Sequence, residues 1–404
     1  MVTSSNMTAL ERRAAIALAG IFGLRLFGMF VVLPVFAIFA AGLPGGEDLR
    51  LVGIAVGAYG LTQALLQLPF GWWSDKVGRK QVIYAGLVIF AIGSFVAATA
   101  DSIYVVIAGR ALQGAGAISA AVIALVSDLT RDEQRPKAMA VIGSTIGFMF
   151  VLSLVTGPWL APKIGVPGLF ALTGVLALLA LWVTWRIVPD PPAAPVSATL
   201  NVRMILEVLQ DRQLQRLNFG IFSLHAVLTA LFIIVPFALR DAGIPVEAQW
   251  KVYLPVMLGA FVLMLIPVMQ SSSPPAMMRW FRFSVALLLL LHALLPWMVS
   301  DIRWLAVFLV GFFTAFNVLE AKLPALVSRL APAGSRGTAT GVYSTVQFLG
   351  SFAGATAAGF LYTIGQVTGV VLFDAVLLAI WLILSFGQAG AATSQPQATR
   401  QHTH

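Results

Sequence analysis

Among the ionisable side chains inside long apolar runs of this chain, Arg25, Arg110, His225 and Glu320 stand out. A charge in an apolar medium is costly unless it is paired, hydrated or neutralised, so each is a candidate for function. Glu320 is the best placed to carry a proton. Arg329 marks the wet end of its run, which puts Glu320 about 13 Å inside at 1.5 Å per residue. Asn317 and Pro324 share its face. A bare carboxylate is disfavoured at that depth, so taking up a proton is its natural chemistry. His225 is either a relay or a structural imidazole. Arg25 suits an anionic group or an acid as partner. Lys322 points about 200° away from Glu320 around the helix and is expected to reach the aqueous surface. Asp374, near the end of its run, is expected to be hydrated. No nucleophile with a base, no cluster of metal ligands and no phosphate-binding glycine loop accompanies these residues, and the chain has no cysteine. That argues against an enzyme or an ATP-driven pump, and no metal or cofactor is expected.

The runs that hold these groups define the protein. Of 404 residues, 59% are hydrophobic and 10% charged, against about 25% charged in ordinary soluble domains. Twelve segments are long enough to cross a bilayer, at about 13–40, 50–72, 81–100, 103–128, 137–161, 167–188, 215–240, 248–270, 281–299, 302–329, 337–362 and 368–388. Backbone groups in lipid need internal partners, which selects helices, and the alternating pattern of a barrel is absent. The first run is too long for a cleaved leader and is expected to be retained as span 1. Lys and Arg crowd the connections on one side, which predicts cytoplasmic termini. The opposite side holds only Arg50, Lys163, Arg240, Lys251 and Arg303. The net charge of +9 is therefore a topology signal, and no nucleic-acid partner is expected.

Residues 1–188 are expected to form one six-span half and 215–388 a second. Between them, 189–214 opens with Pro189-Asp190-Pro191-Pro192 and continues into an amphipathic helix with Val202, Ile205, Leu206 and Leu209 on one stripe. The polar tail 389–404 is expected to be disordered in the cytoplasm.

Between spans 2 and 3 lies a short charged turn, Gly71-Trp72-Trp73-Ser74-Asp75-Lys76-Val77-Gly78-Arg79-Lys80. Its G-x-x-x-D-x-x-G-R-K spacing resembles the cytoplasmic loop that marks the major facilitator superfamily of transporters. Arg110-Ala111-Leu112-Gln113-Gly114 resembles a second motif of that family. Ser153-Leu154-Val155-Thr156-Gly157-Pro158 resembles its antiporter motif, with Ser153 standing where a glycine is usual. Glu11-Arg12-Arg13, Leu24-Arg25-Leu26-Phe27-Gly28, Trp250-Lys251-Val252-Tyr253 and Gly337-Thr338-Ala339-Thr340-Gly341 are similar to the YajR-type bacterial inner-membrane branch. Members of that branch can carry an extra cytoplasmic domain after span 12, which this chain is expected to lack. The resemblance implies an all-α fold of twelve helices in two bundles that work by alternating access. It also implies a latch on the cytoplasmic side. Asp75 would face the start of span 11 near Gly337, Arg79 would pair with Asp128 at the end of span 4, and Gly71, Gly78 and Lys80 would complete the motif.

Other positions read from spacing. Arg110 and Asp128 lie five turns apart on one face of a continuous helix, with Gln113 between them. That is either a coupling route to the latch or a structural arginine tied to carbonyls and glutamines. Tyr59, Gln63 and Gln67 recur along span 2, as do Tyr343, Gln347 and Ser351 along span 11. Each stripe lines a cavity and interface or acts as interhelical glue. Gly143 and Gly147, Gly157 with Pro158, and Gly350 and Gly354 make smooth helix faces for close packing, with or without antiport meaning. The expected function is proton-coupled export of a small hydrophobic or amphipathic compound such as a drug, by a monomer in the bacterial inner membrane. The partners are then protons, the substrate and the bilayer. A nutrient symporter or facilitator, and a non-transporting sensor, remain open.

Overall fold

A computed structural model describes residues 6–191, 202–271, 273–332 and 334–387. All regular structure among them is helical. Span 1 comprises α1 (Ala9–Phe30) and α2 (Leu33–Ala41). Spans 2 and 3 are α3 (Leu49–Val77) and α4 (Arg79–Ala98). Span 4 is divided into α5 (Ile103–Ala115) and α6 (Ser119–Asp128), and α7 (Arg135–Arg186) runs through spans 5 and 6. A short α8 (Val202–Gln210) leads into α9 (Arg212–Asp241), α10 (Trp250–Met269), α11 (Pro274–Met298), α12 (Ile302–Leu330) and α13 (Arg336–Phe386). Ten stretches among the described residues are long and apolar enough to cross a membrane. Two of them are double: α7 turns back at Gly165, with φ 72°, and α13 at Gln366, with φ 49°. Ten rods thus make twelve crossings. The two breaks fall at equivalent places in the two halves, an internal repeat that the side chains barely record.

Large apolar side chains face outward along the rods other than α9, which is buried among its neighbours. Trp185, Trp297 and Ile364 are 64%, 74% and 84% exposed. In water such a surface would aggregate, whereas in lipid it is the contact with solvent. Cations lie over tryptophans at the wet ends, Lys76 on Trp72 and Lys163 on Trp159 at 4.0 and 3.2 Å. Both residue types favour the headgroup level. Asp48, Asp211 and Asp301 cap α3, α9 and α12 by accepting from free backbone N–H groups. Hydrogen bonds from Arg50 hold the Asp48 carboxyl below the usual carboxylate range.

The halves touch most closely along α3 and α13. A Cβ on Gly53 would fall 2.4 Å from the Ala355 carbonyl oxygen, and one on Gly359 2.5 Å from that of Leu49. This contact lies toward the face away from the 71–80 turn, called here the far face. On the near face Gly341 meets only the end of Leu68, and Gly337 has open space around it.

Between the halves, α8 forms the short helix expected there. Val208 is buried, while Leu206 and Leu209 stay exposed. The Thr338 hydroxyl reaches the Met204 sulfur at 3.3 Å, so α8 lies against the start of α13. Residues 192–201 of the expected linker, and the expected tail, lie outside the described residues.

Candidate functional site

The charged turn is mostly helix. α3 continues through Val77, and Gly78 alone redirects the chain with φ 107°. An L side chain is disfavoured there, and a Cβ would also meet Gln81 Oε1 at 2.4 Å. The Asp75 carboxylate accepts from Arg79 Nη1. Arg79 Nε donates to Asp128 Oδ2 at 3.1 Å, and its Nη1 also reaches the Ser74 hydroxyl at 2.8 Å. Lys80 bonds the Val188 carbonyl at 3.0 Å and Asp190 at 2.7 Å. Gly71 lets α3 approach α6, with Ala120 Cβ 3.3 Å from where its own Cβ would be. The expected Asp75 contact with the start of α13 is not made among the described residues. The guanidinium four positions away takes the carboxylate instead, a full charge in place of a helix-end dipole. In this conformation the turn therefore ties together only the first half. Nearby, Glu11 accepts from the backbone N–H, Nε and Nη2 of Arg131 and so raises the proton affinity of that guanidinium above its ordinary value.

Two arginines meet around one ring in the middle of the first half. The guanidinium carbons of Arg25 and Arg110 lie 5.8 and 4.9 Å from the Tyr59 ring centre, within cation–π range. Arg25 donates to Gln63 and, at 2.9 Å, to Ser119; Gln63 passes its own amide to Gln67 at 2.7 Å. Arg110 donates to Gln113 at 2.9 Å, and Gln113 bonds Ser94 at 2.9 Å. Neither arginine has an acidic partner among the described residues, and both Nε atoms and the Tyr59 hydroxyl lack an acceptor. The continuous face joining Arg110 to Asp128 does not exist. The helix is interrupted from Gly116 to Ile118, where a Cβ on Gly116 would fall 2.4 Å from the Gly86 carbonyl oxygen. Close approach to α4 is what breaks the rod. Arg110 accordingly turns to Gln113, and Asp128 to Arg79.

The second half holds the acid. Glu320 on α12 faces His225 on α9 and Gln347 on α13. Glu320 Oε2 lies 3.3 Å from His225 Nε2, Gln347 Nε2 lies 2.7 Å from the same ring nitrogen, and Gln347 reaches Glu320 Oε1 at 3.2 Å. Ser351 Oγ stands 3.5 Å from His225 Nδ1. Two proton arrangements satisfy this cluster. With Gln347 donating, His225 Nε2 is a bare acceptor and Nδ1–H points at Ser351. With one proton more, Nε2–H donates to Glu320, and the Gln347 amide has to leave that nitrogen, because its N–H end would meet a second donor and its carbonyl end would face the carboxylate. His225 is buried and Glu320 is 28% exposed by its side chain, so the acid is the open end. Phe316 packs edge-on against His225 at 5.8 Å and stacks on Phe150 of the other half at 6.0 Å, which sets the cluster beside the interface. Asn317 Nδ2 and the Tyr343 hydroxyl are buried nearby along the same two helices without partners.

The sequence pattern of the Major Facilitator Superfamily fits residues 14–355. The chain belongs to this superfamily. It is 43% identical to the inner membrane transport protein YajR of Escherichia coli K12 over 383 residues, 94% of this chain and 84% of that protein. The quinolone resistance protein NorA of Staphylococcus aureus MRSA252 is 25% identical over 360 residues, 83% of this chain and 87% of NorA. Among solved structures, a bacterial homologue of the human lysosomal transporter Spinster, inward-facing and occupied, superposes with a TM-score of 0.72 at 14% identity, covering 96% of this chain and 98% of that one. The protein is thus a multi-pass secondary transporter with the major facilitator fold of twelve helices, not an enzyme.

Within that fold the small-residue faces divide. Gly350 and Gly354 press on α9, their Cβ positions 2.3 and 2.0 Å from the carbonyl oxygens of Phe222 and Ala226. Gly157, beside the buried Pro158, presses on Val31 at 2.2 Å. Gly143 and Gly147 meet nothing within 4 Å, so the expected tight packing of that stretch of α7 is absent here. Two other expectations fail. Lys322 does not reach the surface; it is buried and donates to the Ser271 hydroxyl at 2.7 Å and the Met277 carbonyl at 3.4 Å, pinning the connection between α10 and α11. Asp374 is not hydrated: it is 1% exposed and faces His292. Sequence reasoning passed over His292, although a polar residue in the middle of an apolar run was the available signal.

Proposed function

We propose that the protein exports a small hydrophobic or amphipathic compound in exchange for protons across a bacterial inner membrane, with its termini in the cytoplasm. The observation that carries this reading is the His225–Glu320–Gln347 cluster. It accommodates one proton more or less by displacing one amide, and it stands at the contact between the halves. Each proton moving inward releases about 2.3 kcal/mol per 100 mV from the membrane potential, before any pH gradient is counted. The open surroundings of Gly143, Gly147 and Gly337, and the backbone contact of Gly53 with α13, support an inward-facing state with the far face shut. Asp75 would then face the start of α13 only in the opposite state, when the near face closes. The likeness to YajR supports transport, and the quinolone resistance in the name of NorA favours a drug-like substrate. The buried Arg25, Arg110, Tyr59, Gln63, Gln67 and Gln113 are proposed to line the substrate side, with Asn317, Tyr343 and Gln347 opposite.

The test is transport in proteoliposomes of defined orientation with an imposed pH gradient, alongside Glu320→Gln. Export should follow the gradient in the wild type. The variant should lose that dependence while still exchanging substrate across the membrane. Gradient-driven export that survives in Glu320→Gln overturns the proton assignment, and uptake in the direction of the proton flow overturns export.

A further inference from the structure

A second titratable pair lies outside this machinery. His292 on α11 and Asp374 on the last segment of α13 face each other with His292 Nε2 3.7 Å from Asp374 Oδ2. They are 0% and 1% exposed. His292 stands six residues from the end of α11 and Asp374 eight beyond the break at Gln366, so both lie about 9–12 Å in from the far face. Phe308 and Phe312 of α12 wall the imidazole, with ring centres 5.6 and 5.7 Å away.

The hydrogen-bond accounting at this pair is incomplete by one proton. His292 Nδ1 lies 2.8 Å from the Leu288 carbonyl oxygen, so Nδ1 carries the hydrogen and donates. Nε2 of the neutral ring is then a bare acceptor. Nothing bonds to it, and nothing bonds to Asp374 Oδ1. An ionised Asp374 would set carboxylate oxygen and nitrogen lone pair against each other in a dry site. No other charged group is paired with either residue among the described ones. The cationic residues of α11, Arg279 and Arg282, lie at its other end, where Arg282 bonds the Ser385 carbonyl. On α12, Arg303 lies toward the far-face end, Glu320 faces His225, and Lys322 faces Ser271. Tyr343 and Tyr362 of α13 lie on its preceding segment, before the break at Gln366.

We propose that His292 and Asp374 form a proton-binding site of the second half, separate from Glu320, holding one proton on Asp374 that is donated to His292 Nε2. With that proton on Oδ2, one O–H···N bond serves His292 Nε2, reached by closing the gap about 1 Å, and Oδ1 is left as a neutral carbonyl oxygen rather than part of a buried anion. The neutral acid and neutral imidazole are favoured over an ion pair because two charges would otherwise be desolvated together. The site also sits under a column of rings. Phe312 stacks on Phe316 at 6.0 Å, and Phe316 walls His225. Loss of the proton would therefore loosen the packing of α11, α12 and the end of α13 rather than open a path to the cavity.

The experiment is infrared spectroscopy of the wild-type protein in lipid, with aspartate carbon-13-labelled at its carboxyl. Asp374 is the sole buried aspartate among the described residues. A labelled carboxylic-acid carbonyl band should persist at neutral pH, vanish in Asp374→Asn and shift in His292→Gln. Absence of a labelled acid band in the wild type at neutral pH overturns the proposal, and that reading needs no variant to fold. A band that survives in folded Asp374→Asn overturns it equally. Glu320 carries no aspartate label, so failure of the export reading leaves this result untouched.

Discussion

Substituting Gly53 by alanine tests whether the contact of α3 with α13 sets the balance between conformations. The added Cβ would lie 2.4 Å from the Ala355 carbonyl oxygen and 3.0 Å from Gly359 Cα, where ordinary contact begins at 3.4 Å. Both neighbours are backbone, so no side chain can swing aside and α13 has to retreat by about 1 Å. Overpacking of this kind costs about 1–3 kcal/mol. Alanine also favours helix over glycine by about 1 kcal/mol. That gain is the same in every conformation in which α3 is helical, so it drops out of the equilibrium between them. The clash is specific to the conformation with the far face shut. The population should therefore shift about 5- to 150-fold away from it. The chain has no cysteine, so spin labels on cysteines introduced at Leu51 and Leu361 report this separation alone. Gly143→Ala is the control, because a Cβ there meets nothing within 4 Å. The distance distribution should gain a longer component in Gly53→Ala and none in Gly143→Ala. Equal shifts in both variants, or none in either, refute the argument.

Asp75→Asn removes the anion that would face the start of α13 when the near face closes, while Arg79 keeps Asp128. Cross-linking between the near-face ends of α3 and α13 should fall, and an unchanged yield refutes the latch. Lys322→Met removes a charged donor from Ser271 and Met277. A charge-assisted hydrogen bond is worth about 1.5–3 kcal/mol, so thermal unfolding in detergent should come at a lower temperature, with faster proteolysis between α10 and α11. Asp48→Asn keeps a cap on α3 but loses the ion pair with Arg50. The wild-type carboxyl is held below its ordinary range, so its stabilisation exists above that range and is lost as pH falls through the lowered value. The melting difference between wild type and Asp48→Asn should shrink on acidification.

The twelve crossings, the divided halves and the charged turn at 71–80 were legible in the chain because lipid acts on each segment separately. Mean apolarity over about 20 residues decides insertion, and every backbone bond closes within its own helix. Gly78 was likewise readable, since a tight backbone is a local requirement, whereas the Arg79–Asp128 pair came from the family resemblance and the Arg79–Asp75 contact was missed. What the helices do to one another was not legible. Glu320 was found by depth alone, but its partners His225 and Gln347 come from helices far away in sequence. Asp374 was assigned to water because the chain does not say that α11 turns His292 toward it. The continuous face from Arg110 to Asp128 failed because packing against Gly86 interrupts the helix, and Gly143 and Gly147 matched a packing pattern yet face open space. Rotation and register between rods are set where small residues let backbones touch, at Gly53 and Gly359 and at Gly350 and Gly354. Those contacts are sums over two distant segments, and a sequence read one segment at a time contains neither their distance nor their angle.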